Sequence, residues 1–293
     1  MKLIKLLLGV PVVYLIFLCS GVGFTGCAKD ISTIHDTTIK TVTDTLRDTL
    51  TVTIHDTLNT CDCNLTDGLI AYYNFNLGNL NDSSGYGNTI YANQGATATT
   101  DRFGRPNNAY SFNGVNNYMR VHNSASLNPD SITMFVIIKP NGFYQGPCAG
   151  NFILSKGISD IVNGCYSIGY QDLDAGCNPP DLSRESFGGT FGNNYPVGTG
   201  NQAGSDTSFI TAGKWYYVTF TYDGKTAKLY VNGQLKDSRV KSTPFNGNTD
   251  DLVIGRLLDD NFPYWVNGVI DEIRIYNRAL CATAVMQLNG VKE

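Results

Sequence analysis

WYYVTFTYDGKTAKLYVNG, residues 215–233, contains two apolar runs of period two joined by a tight turn. Phe220 and Tyr222 alternate on the first run, and Ala227, Leu229 and Val231 on the second. Successive side chains of a pleated strand point to opposite faces, so this pattern reads as a β-hairpin. Asp223-Gly224 supplies the positive φ angles its turn requires, and Asn232-Gly233 supplies a second turn of the same kind. Both faces carry apolar residues, as expected of a strand with a core on one side and an aromatic cover on the other.

The same signals recur outward along the chain. LIAYYNF (69–75), AYSFNG (109–114), YMRVH (118–122), SITMFVIIK (131–139), FILSK (152–156), CYSIGY (165–170), DLVIGR (251–256) and GVIDEIRIY (268–276) read as strands between Gly, Asn, Asp and Pro. Sustained helical spacing is absent apart from a short turn after Ala279. Residues 67–293 suffice for one sizeable domain, and so many short strands predict an all-β fold, a two-sheet antiparallel β-sandwich.

AYSFNGVNNYMRVHNSASLNP, WYYVTFTYDGKTAKLYVNG, LVIGR and GVIDEIRIYNRAL, in that order, resemble the signature segments of the laminin-G-like, or concanavalin-A-like, jelly-roll family of bacterial surface proteins. NDSSGYGN (81–88) resembles that family's early Asp-x-Ser-Gly-x-Gly-Asn loop with one serine added. The resemblance implies the jelly roll. It leaves function open, because the fold carries lectin-like modules, adhesion domains, parts of glycosidases and spacers.

Asp271 and Glu272 stand side by side in the last strand. Strict alternation puts Asp271 with Val269, Ile273 and Ile275, and Glu272 with Ile270, Arg274 and Tyr276, so the two carboxylates would point apart and could not flank one glycosidic bond. Glu272 and Arg274 are then expected to form a surface pair. Beyond the stalk described below, the remaining glutamates are Glu185 and Glu293 and the sole histidine is His122. Asp172 and Asp174 lack a partner acid, the Glu-x-Asp-x-x-Glu strand of glucanases with this fold is missing, and so is a Gly-x-Ser-x-Gly elbow. No catalytic residue is assigned. A buried Asp271 still needs a partner. Two readings stand open: hydrogen bonds to a neighbouring loop, or one structural calcium ion on Asp82, Asn88 and Asp271, which resembles the calcium of many family members.

A sugar site needs exposed rings to cover the apolar face of a pyranose, with polar groups nearby to orient it. DDNFPYW (259–265) is the leading candidate, with Asp259, Asp260 and Asn261 ahead of Tyr264 and Trp265. Tyr144 in NGFYQG (141–146) and the stretch SFGGTFGNNYPVG (186–198) are further candidates, and Tyr118 with Arg120 is an edge candidate. The alternative for Tyr264 and Trp265 is a plug at the end of the sandwich. Trp215 is expected in the core.

The N-terminus places Lys2 and Lys5 before an apolar run from Leu6 to Leu18, the order of a secretory signal. Phe24-Thr25-Gly26-Cys27 resembles the lipobox of bacterial lipoproteins, which implies a signal peptide over 1–26 and lipidation of Cys27, holding the exported chain to the outer membrane or cell surface. Loss of 1–26 moves the formal charge from −4 to −6, because two lysines leave and no acid does. That balance, with no basic cluster, argues against nucleic acid. Residues 27–66 form a Thr/Asp-rich spacer or stalk, with near copies Ile34-His35-Asp36-Thr37 and Ile54-His55-Asp56-Thr57. Its four Asp-Thr pairs resemble the O-glycosylation sites of Bacteroidetes. Cys61, Cys63, Cys148, Cys165, Cys177 and Cys281 allow fifteen disulfide pairings. One bond is expected among Cys148, Cys165 and Cys177, while Cys61 and Cys63 are candidates to reach Cys281 or another chain, giving a homo-oligomer through the stalk or these cysteines. The leading functional reading is a lipid-anchored, non-catalytic module binding an extracellular glycan or surface protein. A structural or adhesive protein is the alternative, and a glycoside-active enzyme ranks last.

Overall fold

The computed structural model describes residues 64–146, 150–157, 164–172, 185–192, 210–240 and 245–290, with short strand segments before and between them. The chain divides into two compact units, Met1–Thr60 and Cys61–Glu293. In the first, β1 (Leu3–Leu6) pairs antiparallel with β2 (Val13–Ile16), and β3 (Thr41–Thr43) with β4 (Thr49–Thr51). The lipidation candidate Cys27 lies outside the described residues, as do Cys61, Cys63, Cys148 and Cys177.

The second unit consists of two antiparallel sheets. The strands in chain order are β5 (Leu69–Tyr73), β6 (Ile90–Gln94), β7 (Thr97–Thr99), β8 (Ala109–Asn113), β9 (Tyr118–Val121), β10 (Ile132–Pro140), β11 (Asn151–Lys156), β12 (Tyr166–Asp172), β13 (Glu185–Phe191), β14 (Val197–Gly198), β15 (Tyr216–Tyr222), β16 (Thr226–Val231), β17 (Gln234–Val240), β18 (Leu252–Ile254) and β19 (Asn267–Tyr276). One sheet runs β17-β16-β15-β10-β19-β8-β7, with β5 continuing the β8 side of β19; the other runs β14-β13-β12-β11-β18-β9-β6. The expected all-β sandwich is therefore present.

The hairpin of residues 215–233 forms, with one correction. Gly224 has φ +92°, but Asp223 is not in the left-handed region; its Oδ1 accepts the amides of Lys225 at 2.9 Å and Thr226 at 2.6 Å. The aspartate closes the turn through its side chain, leaving glycine to reverse the chain. Asn232 and Gly233 are both left-handed, at 52° and 77°, as the second turn requires. Val218, Phe220, Ala227 and Leu229 then face Ile168, Phe187 and Phe191 of the other sheet across the main core. Each such side chain contributes about 1.5–3 kcal/mol on full burial.

A second apolar layer covers the outside of the first sheet. Helix α1 (Ala282–Gly290), longer than the short turn expected after Ala279, lays Ala284, Val285 and Leu288 on Phe135, Ile137, Tyr230 and Tyr276. Trp215, expected in the core, packs half-buried against this layer.

The largest departure from expectation lies in β19. Ile137 of β10 pairs with Glu272 and Ile138 with Ile270, so Asp271 has no partner on that strand and forms a β-bulge. The inserted residue resets the alternation: Ile270, Ile273 and Ile275 all enter the core, while both acids reach a single guanidinium outside it.

Candidate functional site

The stretch from Gly255 to Val266 is a tight excursion between β18 and β19. Gly255 turns at φ +95°, the amide of Val266 donates to the Gly255 carbonyl at 3.0 Å, and that of Leu257 donates to the Pro263 carbonyl at 2.9 Å. At its tip the Asp259 Oδ1 accepts the Asn261 amide at 2.8 Å, and Asp260, Asn261 and Phe262 are exposed. The loop is a firmly braced presentation of aromatic and acidic groups.

Tyr264 adopts φ 46°, a conformation most non-glycine residues avoid. Two contacts hold it there: its carbonyl accepts the Phe152 amide at 3.0 Å, and its ring stacks on that of Phe152 at 5.2 Å. Tyr144 meets the same ring edge-on at 6.4 Å. A Cβ at position 150 would lie 2.7 Å from the Tyr264 ring, so Gly150 is what admits it. Trp265 lies on the other side of the loop. Its ring receives the Arg256 guanidinium at 4.4 Å and neighbours Tyr118 at 5.9 Å. Arg256 in turn donates to the Leu257 and Asp259 carbonyls at 2.7 and 3.1 Å, and to Asp260 Oδ1 at 2.8 Å. Tyr264, Trp265 and Tyr144 are all half-buried, neither fully plugging the sandwich nor standing free.

The structure thus gathers Tyr144 and Tyr264 on one side of the loop, Trp265 on the other, and Asp259, Asp260 and Asn261 at its tip. Phe152 and Arg256 are additions the sequence reading missed. Arg256 carried a signal, four residues before Asp260.

The expected calcium ligands are arranged differently. Asp82 Oδ1 accepts the amides of Tyr72 and Ser84 at 2.9 and 2.8 Å, and Oδ2 accepts the Ser84 hydroxyl at 2.8 Å and the Asn88 amide at 2.9 Å. A carboxylate has about four lone-pair positions, so these donors fill it. Asn88 Oδ1 accepts the Ser124 hydroxyl at 2.7 Å. Asp271 is engaged elsewhere, receiving Arg102 Nη1 and the Arg102 amide at 2.7 and 2.9 Å. Donor hydrogens already face these oxygens, and the set Asp82, Asn88 and Asp271 does not fit a cation. Among the described residues no group of three His, Cys, Asp or Glu side chains is placed to hold a metal ion.

Two further expectations are corrected on β19. Asp271 and Glu272 do not point apart: Arg102 reaches Asp271 Oδ1 at 2.7 Å and Glu272 Oε2 at 3.5 Å. Glu272 and Arg274 pair at 2.5 Å as anticipated, but in the interior, with side chains 3% and 8% exposed. Burial raises the pKa of both acids, opposed by Arg102 at Asp271 and by Arg274 and Arg102 at Glu272. A pair of acids with raised pKa values invites a catalytic reading. Their closure argues against it, because Arg102 and both acids expose only 3% of their side chains and leave a glycosidic oxygen no approach.

The match to known proteins agrees with this architecture. Residues 112–286 match the family model described as the concanavalin A-like lectin/glucanases superfamily. The chain belongs to that family. Among solved structures it is similar to domain 4 of AbnA, a GH43 extracellular arabinanase from Geobacillus stearothermophilus, in complex with arabinotriose, at TM-score 0.54 and 21% identity over 75% of this chain and 98% of that one. It is also similar to the botulinum neurotoxin type G receptor binding domain, at TM-score 0.54 and 18% identity over 76% of this chain and 51% of that one. The binding domain of botulinum neurotoxin DC in complex with SialylT matches at TM-score 0.53 and 15% identity, over 77% of this chain and 52% of that one. This chain spans about half the length of the toxin domains. No curated protein matches it.

Proposed function

We propose that this protein is a non-catalytic carbohydrate-binding module carried by an exported lipoprotein, with its site at the Asp259–Trp265 loop. The observation that carries the reading is the loop itself: half-buried rings of Tyr264 and Trp265 fixed by packing, next to exposed Asp260 and Asn261. Rings held rigid before a ligand arrives lose little entropy on binding, and carboxylate and amide groups beside them match sugar hydroxyls. Similarity in fold to a domain solved with arabinotriose is consistent with this use. The closed state of the Asp271–Arg102–Glu272 cluster supports a binding role over hydrolysis. Acylation of Cys27 would hold the module to the envelope, with the Thr-rich segment as spacer.

Glycan titration by calorimetry tests the site. Trp265→Ala should weaken binding at least about tenfold, one anchor contact at an interface, with the thermal melt checking that the fold survives. Unchanged affinity would remove the proposed site. Sugar release from a polysaccharide panel, lost on substituting a single acid, would overturn the non-catalytic reading. Cys27→Ser should move the protein from the detergent phase to the aqueous phase.

A further inference from the structure

Strand β9 continues the aromatic surface well past the loop. Met119 and Val121 enter the core, so Tyr118 and Arg120 face outward from the second sheet, and exposed His122 follows them. Tyr91 of the edge strand β6 is 44% exposed and stacks on His122, with centroids 3.7 Å apart and planes 3° from parallel. Asp251 ties the group together. Its Oδ2 accepts the Tyr91 hydroxyl and Arg120 Nη2, each at 2.7 Å, and its Oδ1 accepts the Asn123 amide at 3.2 Å. The Arg120 guanidinium lies 6.0 Å from the Tyr91 ring, and Arg256 lies 5.4 Å from Tyr118.

Rings and guanidinium groups therefore succeed one another from Trp265 through Arg256, Tyr118 and Arg120 to Tyr91 and His122. From Tyr118 to His122 alone the strand advances about 13 Å. A strip of that length exceeds one sugar ring. Its charges are also spoken for: Arg256 faces Asp260 at 2.8 Å and Arg120 faces Asp251 at 2.7 Å. A surface meant for a polyanion would present uncompensated cations, and the chain as a whole is acidic, at −4.

The geometry points to a second subsite at Tyr91, His122, Arg120 and Asp251, making the outer face of β9 and β6 an extended track for a linear, uncharged glycan chain. This inference rests on the carbohydrate-binding reading above and adds the length and charge class of the ligand. An outward ring face of the Tyr91–His122 stack would cover the apolar face of a distal sugar and the exposed part of Arg120 would meet its hydroxyls, with Asp251 holding Tyr91 and Arg120 in place.

The test uses the detergent-solubilised full chain and calorimetry with neutral disaccharides and hexasaccharides of the arabinan, xylan and glucan series, alongside polygalacturonate. Tyr91→Ala is expected to weaken the hexasaccharide about tenfold and leave the disaccharide unchanged, while Tyr91→Phe, which keeps the ring, retains most affinity. Trp265→Ala should weaken both. A hexasaccharide bound equally by wild type and Tyr91→Ala would overturn the second subsite and leave the loop site standing. Tighter, salt-sensitive binding of polygalacturonate would overturn the charge class. Failure of the wild type to bind any of these sugars, or indifference of both lengths to Trp265→Ala, would instead sink the carbohydrate reading itself.

Discussion

Asp271 shows how one inserted residue changes the chemistry open to a strand. Alternation alone separates it from Glu272, yet the bulge opposite Ile137 and Ile138 brings both onto Arg102. The signal was in the sequence: Ile270, Ile273 and Ile275 are all apolar, and the spacing of three within a period-two strand announces an extra residue. The partner was not readable, because Arg102 lies 169 positions away and its meeting with Asp271 is a product of tertiary packing. Breaking a buried pair by removing one member strands the other charge, so Arg102→Met should cost about 3–5 kcal/mol in urea unfolding at pH 7. Burial raises the pKa of Asp271 and Glu272, so the folded state holds protons at a pH where the unfolded chain has released them. Stability from these groups then rises as pH falls toward the raised values. The deficit of Arg102→Met should accordingly be smaller at pH 5 than at pH 7, and a deficit independent of pH would refute the stranded-carboxylate account.

Among the elements, the strands were the legible part, and the loops joining them were read by composition more than by contact. NDSSGYGN resembles a family loop and holds two of the calcium candidates, Asp82 and Asn88, but the loop uses their oxygens inwardly. Asp82 gathers the amides of Ser84 and Asn88 and reaches across to β5 through the Tyr72 amide, while Asn88 Nδ2 donates to the Ile70 carbonyl at 2.7 Å. The local turn from Asp82 to Ser84 is one that aspartate signals in sequence, but the reach to Tyr72 is not, because its partner is a backbone amide that every residue possesses. Hydrogen bonds to a charged acceptor contribute about 1.5–3 kcal/mol. Asp82→Ala should therefore lower stability by at least about 2 kcal/mol, while EDTA leaves the wild-type melting temperature unchanged. A large drop on adding EDTA, restored by calcium, would show that these oxygens serve a cation after all. Helix α1 was glimpsed only as a turn because nine residues give few periods to count, and its placement follows from the apolar layer it covers.

For the molecule as a whole, the sandwich was readable because its strands share one period and its core is built from apolar residues at predictable faces. The interior exceptions were not. Lys156, at the end of β11, is fully buried, and its ammonium donates to Asn128 Oδ1 at 3.1 Å and to the Asn248 carbonyl and Oδ1 at 2.9 and 2.7 Å. It thereby joins three segments distant in sequence. Burial lowers its pKa to about 8, against the opposing pull of Asp250, Cys165 and Asp251. Between that value and the ordinary lysine pKa of about 10.4 the unfolded chain keeps a proton that the folded one has released, so this group makes stability rise with pH across the interval. Other groups titrate there as well, notably tyrosines, and comparison with Lys156→Met cancels them. The melting temperature of the wild type relative to Lys156→Met should climb between pH 8 and pH 10, because the variant lacks the ammonium whose desolvation is being relieved. If the difference stays flat or falls, the ammonium gains more from its three acceptors than burial costs it, and Lys156 acts as a charged clamp at every pH up to that of a free lysine.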